Sequence, residues 1–443
     1  MTNKALDLIR AQKFHDARMV LLEMNPVDIA VVFDEMEPED IVMLFRLLPK
    51  ELAADTFAYM TPEVQEKLLS ALTDVELRLV LDSQFMDDTV DMLEEMPANV
   101  VRRVLKLSDP ETRSMLNRLL QYEEGSAGSI MTTEYVALKK GMSIRQAIDY
   151  LKKNAVDSET LYTCYVTDQN RILEGVITVR EMLLAENDAL VGDVMEEKPM
   201  SVSTNTSDEE VGQMFQKYDM LALPVVDGEN RLVGIITVDD AVDVIQEANT
   251  EDFEKMAALE PSETPYLKTS AFTHARKRVV WLLFLMLSGI ITGQIISHYE
   301  DAFAALPILV SFIPMLMDTG GNCGSQSSTL IIRGMALEEI RPRDILKVIW
   351  KECRVSVLVG VVLAPVNILW IWLRYHSLPV AFTVGISMFI TIFIAKLMGC
   401  LLPMIAKRCK LDPAIMASPL ITTVVDACSI FVYFNVALLI LHI

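Results

Sequence analysis

Three rhythms of apolar positions divide the chain. Residues 20–120 repeat with a period near twelve: Met24, Met36, Leu48, Met60, Leu72 and Met96 recur, and Pro26, Pro38, Pro62 and Pro110 follow at the same phase. Proline suits the first turn of a helix, where its missing N–H is not needed. Each unit therefore predicts a short helix entered at proline, with acids favourable near its start. Such units bury their apolar faces only by stacking on neighbours, which predicts a small α-solenoid. Between 131 and 250 a second repeat appears, because Leu173-Glu-Gly-Val-Ile-Thr-Val-Arg returns as Leu232-Val-Gly-Ile-Ile-Thr-Val-Asp 59 residues later. Each copy predicts an extended run after a methionine, an amphipathic helix (144–153; 208–217), two strands around a polar turn, and a closing helix. The last third holds five apolar stretches, near 279–298, 303–332, 355–373, 378–405 and 413–441. Each has the roughly 20 residues needed to cross hydrocarbon.

Charge divides the chain at the same place. Residues 266–443 carry 15 Lys+Arg and 9 Asp+Glu, a net of +6, so the total of −22 leaves −28 on residues 1–265. That acidic half repels nucleic acid and attracts cations, although plain solubility also accounts for a moderate excess. Around the apolar stretches, Arg276, Lys277 and Arg278 precede the first, and Arg333, Arg341, Arg343, Lys347, Lys351 and Arg354 separate the second from the third. Lys407, Arg408 and Lys410 separate the fourth from the fifth, whereas the opposite loops hold only Arg374. Positive charge stays on the cytoplasmic side, which predicts an N-terminus inside and a C-terminus outside. The expectation of a cytosolic first half agrees with an N-terminus that lacks an apolar signal core. Cys164, Cys323, Cys353, Cys400, Cys409 and Cys428 show no paired spacing and read as small buried thiols rather than disulfides or zinc ligands.

Candidate ion chemistry lies in three places. Residues 239–263 carry nine acids (Asp239, Asp240, Asp243, Glu247, Glu251, Asp252, Glu254, Glu260, Glu263) and one base, Lys255. The stretch predicts a helix to about Pro261, with like charges at 243, 247 and 251 repelling along one face. A solvated linker and a site for divalent ions both fit. The last apolar stretch contains Asp426 about midway along. An ionised carboxylate there costs at least ~2.5 kcal/mol and needs water, a cation or a proton. Ser418, Thr422, Asp426 and Ser429 fall on one helical face, the pattern of a helix lining water. The second stretch contains Gly320, Gly321 and Gly324 among Asn322, Gln326 and hydroxyls, which predicts either irregular backbone beside a wet path or a close helix contact.

The 59-residue repeat resembles a tandem pair of CBS domains. That family often binds adenine nucleotides such as ATP, with a Thr-x-x-Asp holding ribose. The second copy matches at Thr237 and Asp240, whereas the first has Thr178 and Glu181. Over nearly the whole chain, the sequence resembles the MgtE family of magnesium channels. The resemblance rests on Pro314-x-x-x-x-Thr-Gly-Gly-Asn-x-Gly-x-Gln326 and on Asp412-Pro-Ala with the later Asp426. It implies a multidomain α and α/β chain: a helical N domain (1–125), CBS repeats (126–190 and 191–245), a connecting helix (246–272) and a five-helix transmembrane domain (273–443). It also implies a homodimer in the bacterial inner membrane, in contact with lipid, whose pore lies on the twofold axis. Asp426 then matches the central ion-binding aspartate, with Thr422, Ser418 and the Gly320–Gln326 segment beside it. The Mg2+-sensing set implied is Asp240, Asp243, Glu247, Glu251, Asp252, Glu209, Asp219 and Asp412, with Asp87 and Asp91 from the N domain. Asp318 stands where a small residue is expected, and Lys396 lies inside the fourth stretch. An intramembrane pair between them, or an added charge on the ion path, explains both.

Mg2+ is small and hard, prefers oxygen and keeps several waters, so its path should be an oxygen-lined vestibule with few direct ligands. Two copies of Asp426 would supply −2 against the ion's +2. The acidic half then reads as a gate, loosened by repulsion at low Mg2+ and bridged by ions at high Mg2+. A CBS-regulated secondary transporter or exporter of Mg2+, Co2+ or Mn2+ is the alternative. A tethered nucleotide sensor would need no central acid. Scattered histidines and the lack of a nucleophile–base motif argue against an enzyme.

Overall fold

A computed structural model describes residues 1–36, 38–155, 158–261, 266–267, 269–299, 306–416 and 418–442, and only the backbone of Pro38, Glu39 and Ser418. Glu263 of the acidic run and residues 303–305, where the second apolar stretch opens, lie outside the described residues. The chain forms two compact units, Met1–Gln246 and Glu247–Ile443.

The first unit opens with helices α1 (Thr2–Arg10) and α2 (Phe14–Leu21), followed by α3 (Pro26–Asp34), α4 (Pro38–Leu47), α5 (Lys50–Ala58) and α6 (Pro62–Ala71). Then come α7 (Asp74–Leu81), α8 (Met86–Glu94), α9 (Ala98–Leu107) and α10 (Pro110–Leu119). From α3 onward every helix starts twelve residues after the last, at the phase the prolines set. Caps fix several starts. Asn25 and Asp109 accept backbone N–H bonds ahead of Pro26 and Pro110, and Thr73 and Glu76 form a reciprocal capping box. Helices pack on their second neighbours (α1 on α3, α3 on α5, α5 on α7; α2 on α4, α4 on α6), so the apolar faces of two rows meet. Phe33, Phe45 and Phe57, also twelve apart, stack edge to face with ring centres 6.3 Å apart at each step.

The remainder of this unit holds two small sheets. In the first, β1 (Ala137–Leu138) pairs parallel to β2 (Thr163–Thr167), then β3 (Leu173–Thr178) and β4 (Glu196–Glu197) follow antiparallel. In the second, β5 (Val202–Ser203) pairs parallel to β6 (Ala222–Val226), which pairs antiparallel with β7 (Leu232–Thr237). Helices α11 (Ile144–Asn154), α12 (Val179–Leu184), α13 (Val191–Val194), α14 (Asp208–Tyr218) and α15 (Val238–Met256) complete the two copies. The repeat extends to irregularities: the ladder slips at Val166/Thr167 and again at Val225/Val226, 59 residues later. The copies also exchange equivalent bonds, Leu173 N–H to Asn230 O (3.1 Å) and Leu232 N–H to Arg171 O (2.9 Å). Helix α15 runs unbroken past residue 245 and ends at Met256, short of the expected Pro261, with Ala258 in a left-handed conformation.

The second unit contains α16 (Ala271–His298), α17 (Ile313–Ala336), α18 (Ile345–Tyr375), α19 (Leu378–Arg408) and α20 (Ser418–Leu441). Among the described residues, four stretches are long and apolar enough to cross a membrane: 271–298, 342–375, 378–408 and 413–441. Helix α17 is long enough, but its glycines, hydroxyls, Asp318 and amides dilute the apolar character. Helix α19 lies at the centre and packs against α17, α18 and α20. Gly399 of α19 makes this possible, since a Cβ there would collide with the Gly324 carbonyl of α17.

Candidate ion path and acidic sites

Helices α17 and α20 meet through glycines. A Cβ on Gly321 would lie 3.0 Å from Thr422 Cγ2, one on Gly320 2.9 Å from Val425 Cγ1 and Ser429 Oγ, and one on Gly324 2.8 Å from Ile421 Cγ2. The helix does not break at these residues, so the expectation of irregular backbone is corrected: absent side chains serve close packing. Asp426 and Thr422 are half-buried on α20, where the Thr422 hydroxyl donates to Pro419 O at 2.9 Å. Ser429, expected on the same wet face, is 1% exposed and donates to Val425 O within its own helix, so it belongs to the contact with Gly320. The side chain of Ser418 lies outside the described residues.

On α17, Asp318, Asn322 and Gln326 are exposed at four-residue spacing, forming one polar stripe. The Asp318 charge acts on Asp426. The expected Asp318–Lys396 pair does not form, because the two groups sit on different faces and levels. Lys396, 4% exposed, donates to Ser327 Oγ at 3.3 Å, nine residues and about 13 Å along α17 from Asp318. The Ser327 hydroxyl in turn donates to Glu352 Oε2 of α18 at 2.7 Å, with Glu352 8% exposed. A buried Glu–Ser–Lys chain thus ties α17, α18 and α19 together, a feature the sequence reading missed.

In the first unit, Asp87 of α8 and Asp240 of α15 come together, joined by Asp88, Glu134, Glu159 and Asp239. Asp87 is 7% exposed and accepts the Asp88 N–H. Glu134 accepts the Thr132 hydroxyl at 2.6 Å and the Met86 N–H at 3.4 Å. One Glu159 oxygen is buried without a hydrogen-bond partner. Burial first, then the charges of Asp240, Asp88 and Glu159, pushes Asp87 up to about 9. Burial and the charges of Asp239, Asp240, Asp88 and Glu134 push Glu159 to about 7. Desolvation likewise raises Asp240 to about 6, against the restraining hydroxyl of Thr237, and carries Asp88, whose side chain still reaches solvent, to about 6. The charges acting most on all four are carboxylates, a cluster that protons or cations must relieve. Asp243 is raised by burial and then by Asp239. Asp91 lies one turn beyond Asp87 on α8. Glu209 and Asp219 stand at opposite ends of α14, ten residues and about 15 Å apart, too far to share one ion.

At the turns after β3 and β7 the two copies behave alike. The Thr178 hydroxyl donates to Glu181 and the Thr237 hydroxyl to Asp240, each at 2.8 Å. Thr178 therefore caps its helix in a full capping box, and Thr237 makes the matching bonds to Asp240 where a ribose would be expected.

A third acidic set lies in the second unit. Lys255 Nζ bridges Glu251 Oε1 (2.6 Å) and Asp412 Oδ2 (2.7 Å), while Asp412 Oδ1 accepts the Ala414 N–H at 2.8 Å. Burial lowers the Lys255 pKa, but hydrogen bonds to Asp412 and Glu251 outweigh it and carry the ammonium to about 12. Asp252 is raised by burial and then by the Asp412 charge. Arg333 at the end of α17 donates to Asn249 Oδ1 at 3.1 Å, and Glu247 precedes Glu251 by one turn. Among the described residues, no three His, Cys, Asp or Glu side chains converge as a ready-made metal cage. Asp239 belongs to the acidic run 239–263 already read from sequence; of the acids missed there, Asp88 had a signal in its neighbour Asp87. Glu134 and Glu159 had none, being brought in only by folding.

Known proteins match every part of this layout. A family profile for a divalent cation transporter matches residues 313–436, one for the MgtE intracellular N domain matches 24–125, and CBS profiles match 127–188 and 191–247. The magnesium transporter MgtE of Thermus thermophilus is 37% identical over 429 residues, 96% of this chain and 95% of that protein. The Bacillus subtilis magnesium transporter MgtE is 33% identical over 439 residues, 98% of this chain and 96% of that protein. Among solved structures, the cytosolic domain of the Mg2+ channel MgtE in complex with ATP is 37% identical, with a TM-score of 0.52, covering 55% of this chain and 100% of that one. The soluble part of a magnesium transporter is 30% identical, with a TM-score of 0.51, covering 56% and 97%. Full-length coverage at this identity, with the transporter, N-domain and CBS profiles in order, places the chain in the MgtE family of magnesium transporters: membrane proteins with paired CBS domains, and not enzymes.

Proposed function

We propose that this chain is a Mg2+-selective channel of the bacterial inner membrane, working as a homodimer that imports magnesium and is closed by cytosolic Mg2+. The observation that carries the reading is Asp426, a carboxylate half-buried within an apolar helix and flanked by Thr422. Beside it runs the exposed stripe of Asp318, Asn322 and Gln326 on α17. A polar stripe facing lipid is costly, so it asks for water or a second copy of itself. A twofold axis beside α17 and α20 supplies both, with paired Asp426 side chains and amide and hydroxyl oxygens around a hydrated dication. The scarcity of convergent ligands suits an ion that keeps its waters. In this reading α17 is the fifth crossing, covered by protein and water where its composition is poor in apolar residues, and the arginine- and lysine-rich loops keep the N-terminus inside and the C-terminus outside.

Gating follows from the carboxylates. Asp87, Asp91, Asp240, Asp243, Glu209 and Asp219 in the first unit, with Glu247, Glu251, Asp252 and Asp412 in the second, form the proposed sensing set. Ions that relieve the buried cluster at Asp87 and Asp240 hold its elements together. ATP binding belongs to the same proposal: Thr237 and Asp240 provide the hydroxyl and carboxylate for a ribose, whereas Glu181 replaces the aspartate in the first copy. The test is Mg2+ flux into liposomes by the wild-type chain and by Asp426→Asn. Flux should fall more than tenfold in the variant, with single-channel steps in the wild type. Equal flux, or smooth carrier kinetics, overturns the reading.

A further inference from the structure

Lys255 is the one base between Asp239 and Pro261, and it lies where three members of the proposed sensing set gather. It comes one turn after Glu251 and reaches across 157 residues to Asp412. Both Asp412 oxygens are engaged, one by the ammonium and one by the Ala414 N–H. A dication entering between Glu251 and Asp412 would have to displace an ammonium already attached to the chain, and it sheds its own waters reluctantly. Tethering also keeps the ammonium at high effective concentration whatever the free ion level. A second tie lies two turns earlier, where Arg333 at the end of α17 holds Asn249. Bases thus fasten the last turns of α15 to the ends of both helices assigned to the ion path.

We propose that Lys255 is a built-in cation that closes the contact between α15 and the segment before α20 without Mg2+, which takes Glu251 and Asp412 out of the proposed sensing set and leaves ion sensing to the acidic cluster of Asp87, Glu159 and Asp240. The division of labour rests on the gating reading above; the tether itself does not.

The experiment is amide hydrogen exchange over residues 247–256 in the purified full-length chain, without divalent ions and in excess Mg2+, for the wild type, Lys255→Met and Lys255→Arg. The wild type and Lys255→Arg should protect this segment equally in both conditions. Lys255→Met should exchange about tenfold faster without Mg2+, as expected for a lost charged hydrogen bond, and should recover protection when Mg2+ fills the vacated place. If the wild type is protected only in Mg2+, or if Lys255→Met matches it without Mg2+, the tether is overturned. Flux in liposomes is read in parallel, where Lys255→Met should need severalfold more cytosolic Mg2+ to close. A wild type whose flux ignores cytosolic Mg2+ overturns the gating reading alone, while the exchange pattern still decides the tether.

Discussion

The two units treat crowded carboxylates in opposite ways. In the first, Asp87, Asp88, Glu159 and Asp240 press on one another, and their strongest charged neighbours are further acids. In the second, Glu251 and Asp412 share Lys255, and Glu352 reaches Lys396 through Ser327. Folding has completed the second arrangement from within the chain. The first is left dependent on what the solution supplies. Acid count alone does not tell the two arrangements apart; the number of bases that folding brings to those acids does.

The sharpest way to break this contrast is to remove the base from the membrane chain. Lys396→Met should destabilise the second unit by about 3–5 kcal/mol, because Glu352 is left buried without compensation. Lys396→Met with Glu352→Gln should recover most of the loss. Thermal unfolding in detergent reads both, and a single variant as stable as the double would show that Glu352 does not depend on Lys396.

Acidity should act next most strongly, and on the first unit. Its carboxylates have folded pKa values raised above their unfolded ones, so the folded state holds more protons than the unfolded between those values. Their contribution to stability without divalent ions should therefore be full only near pH 4 and below, and be lost as pH rises through about 6 (Asp88, Asp240), 7 (Glu159) and 9 (Asp87). A loss of a few kcal/mol is expected across that window, offset by millimolar Mg2+. Asp87→Asn should raise stability at pH 8 and flatten the profile in denaturant titrations. A profile unchanged by the substitution would move the origin of the effect elsewhere.

The smallest effect is expected where a base meets an acid in open water. Arg46 and Glu76 form an ion pair at 2.9 Å with half-exposed side chains. Arg46→Ala should cost under about 1 kcal/mol, measured by the same titrations and shrinking with added salt. A larger cost would mean that surface pairs rank with the buried chain.

Much of this was legible in the sequence wherever a repeat or an isolated contrast carried it. The twelve-residue phase set by Pro26, Pro38, Pro62 and Pro110 located helix starts, because proline and the caps before it act within one turn. Leu173 and Leu232 located the paired strands, because each copy solves the same local problem. Asp426 was visible as the lone acid in an apolar run. What escaped depended on contacts between distant segments. Ser327, Glu352 and Lys396 come from three helices, and Glu134 and Glu159 reach α8 only through the fold. Ser429 shows a subtler limit. Helical arithmetic put it on the arc of Thr422 and Asp426, but the edge between covered and open surface falls within that arc, and only the approach of Gly320 fixes where.

Second-neighbour packing among the short helices carries a rule of parity. Odd-numbered helices line one row and even-numbered helices the other, and α8 bears Asp87 within the even row. Gaining or losing a single dozen residues between α8 and the first sheet would move Asp87 to the opposite row and leave Glu159 and Asp240 without it. A change of two dozen would restore the row. Viable length variants of this region should therefore come in steps of twenty-four, with an insertion of twelve silencing the acidic cluster even though each helix could still form.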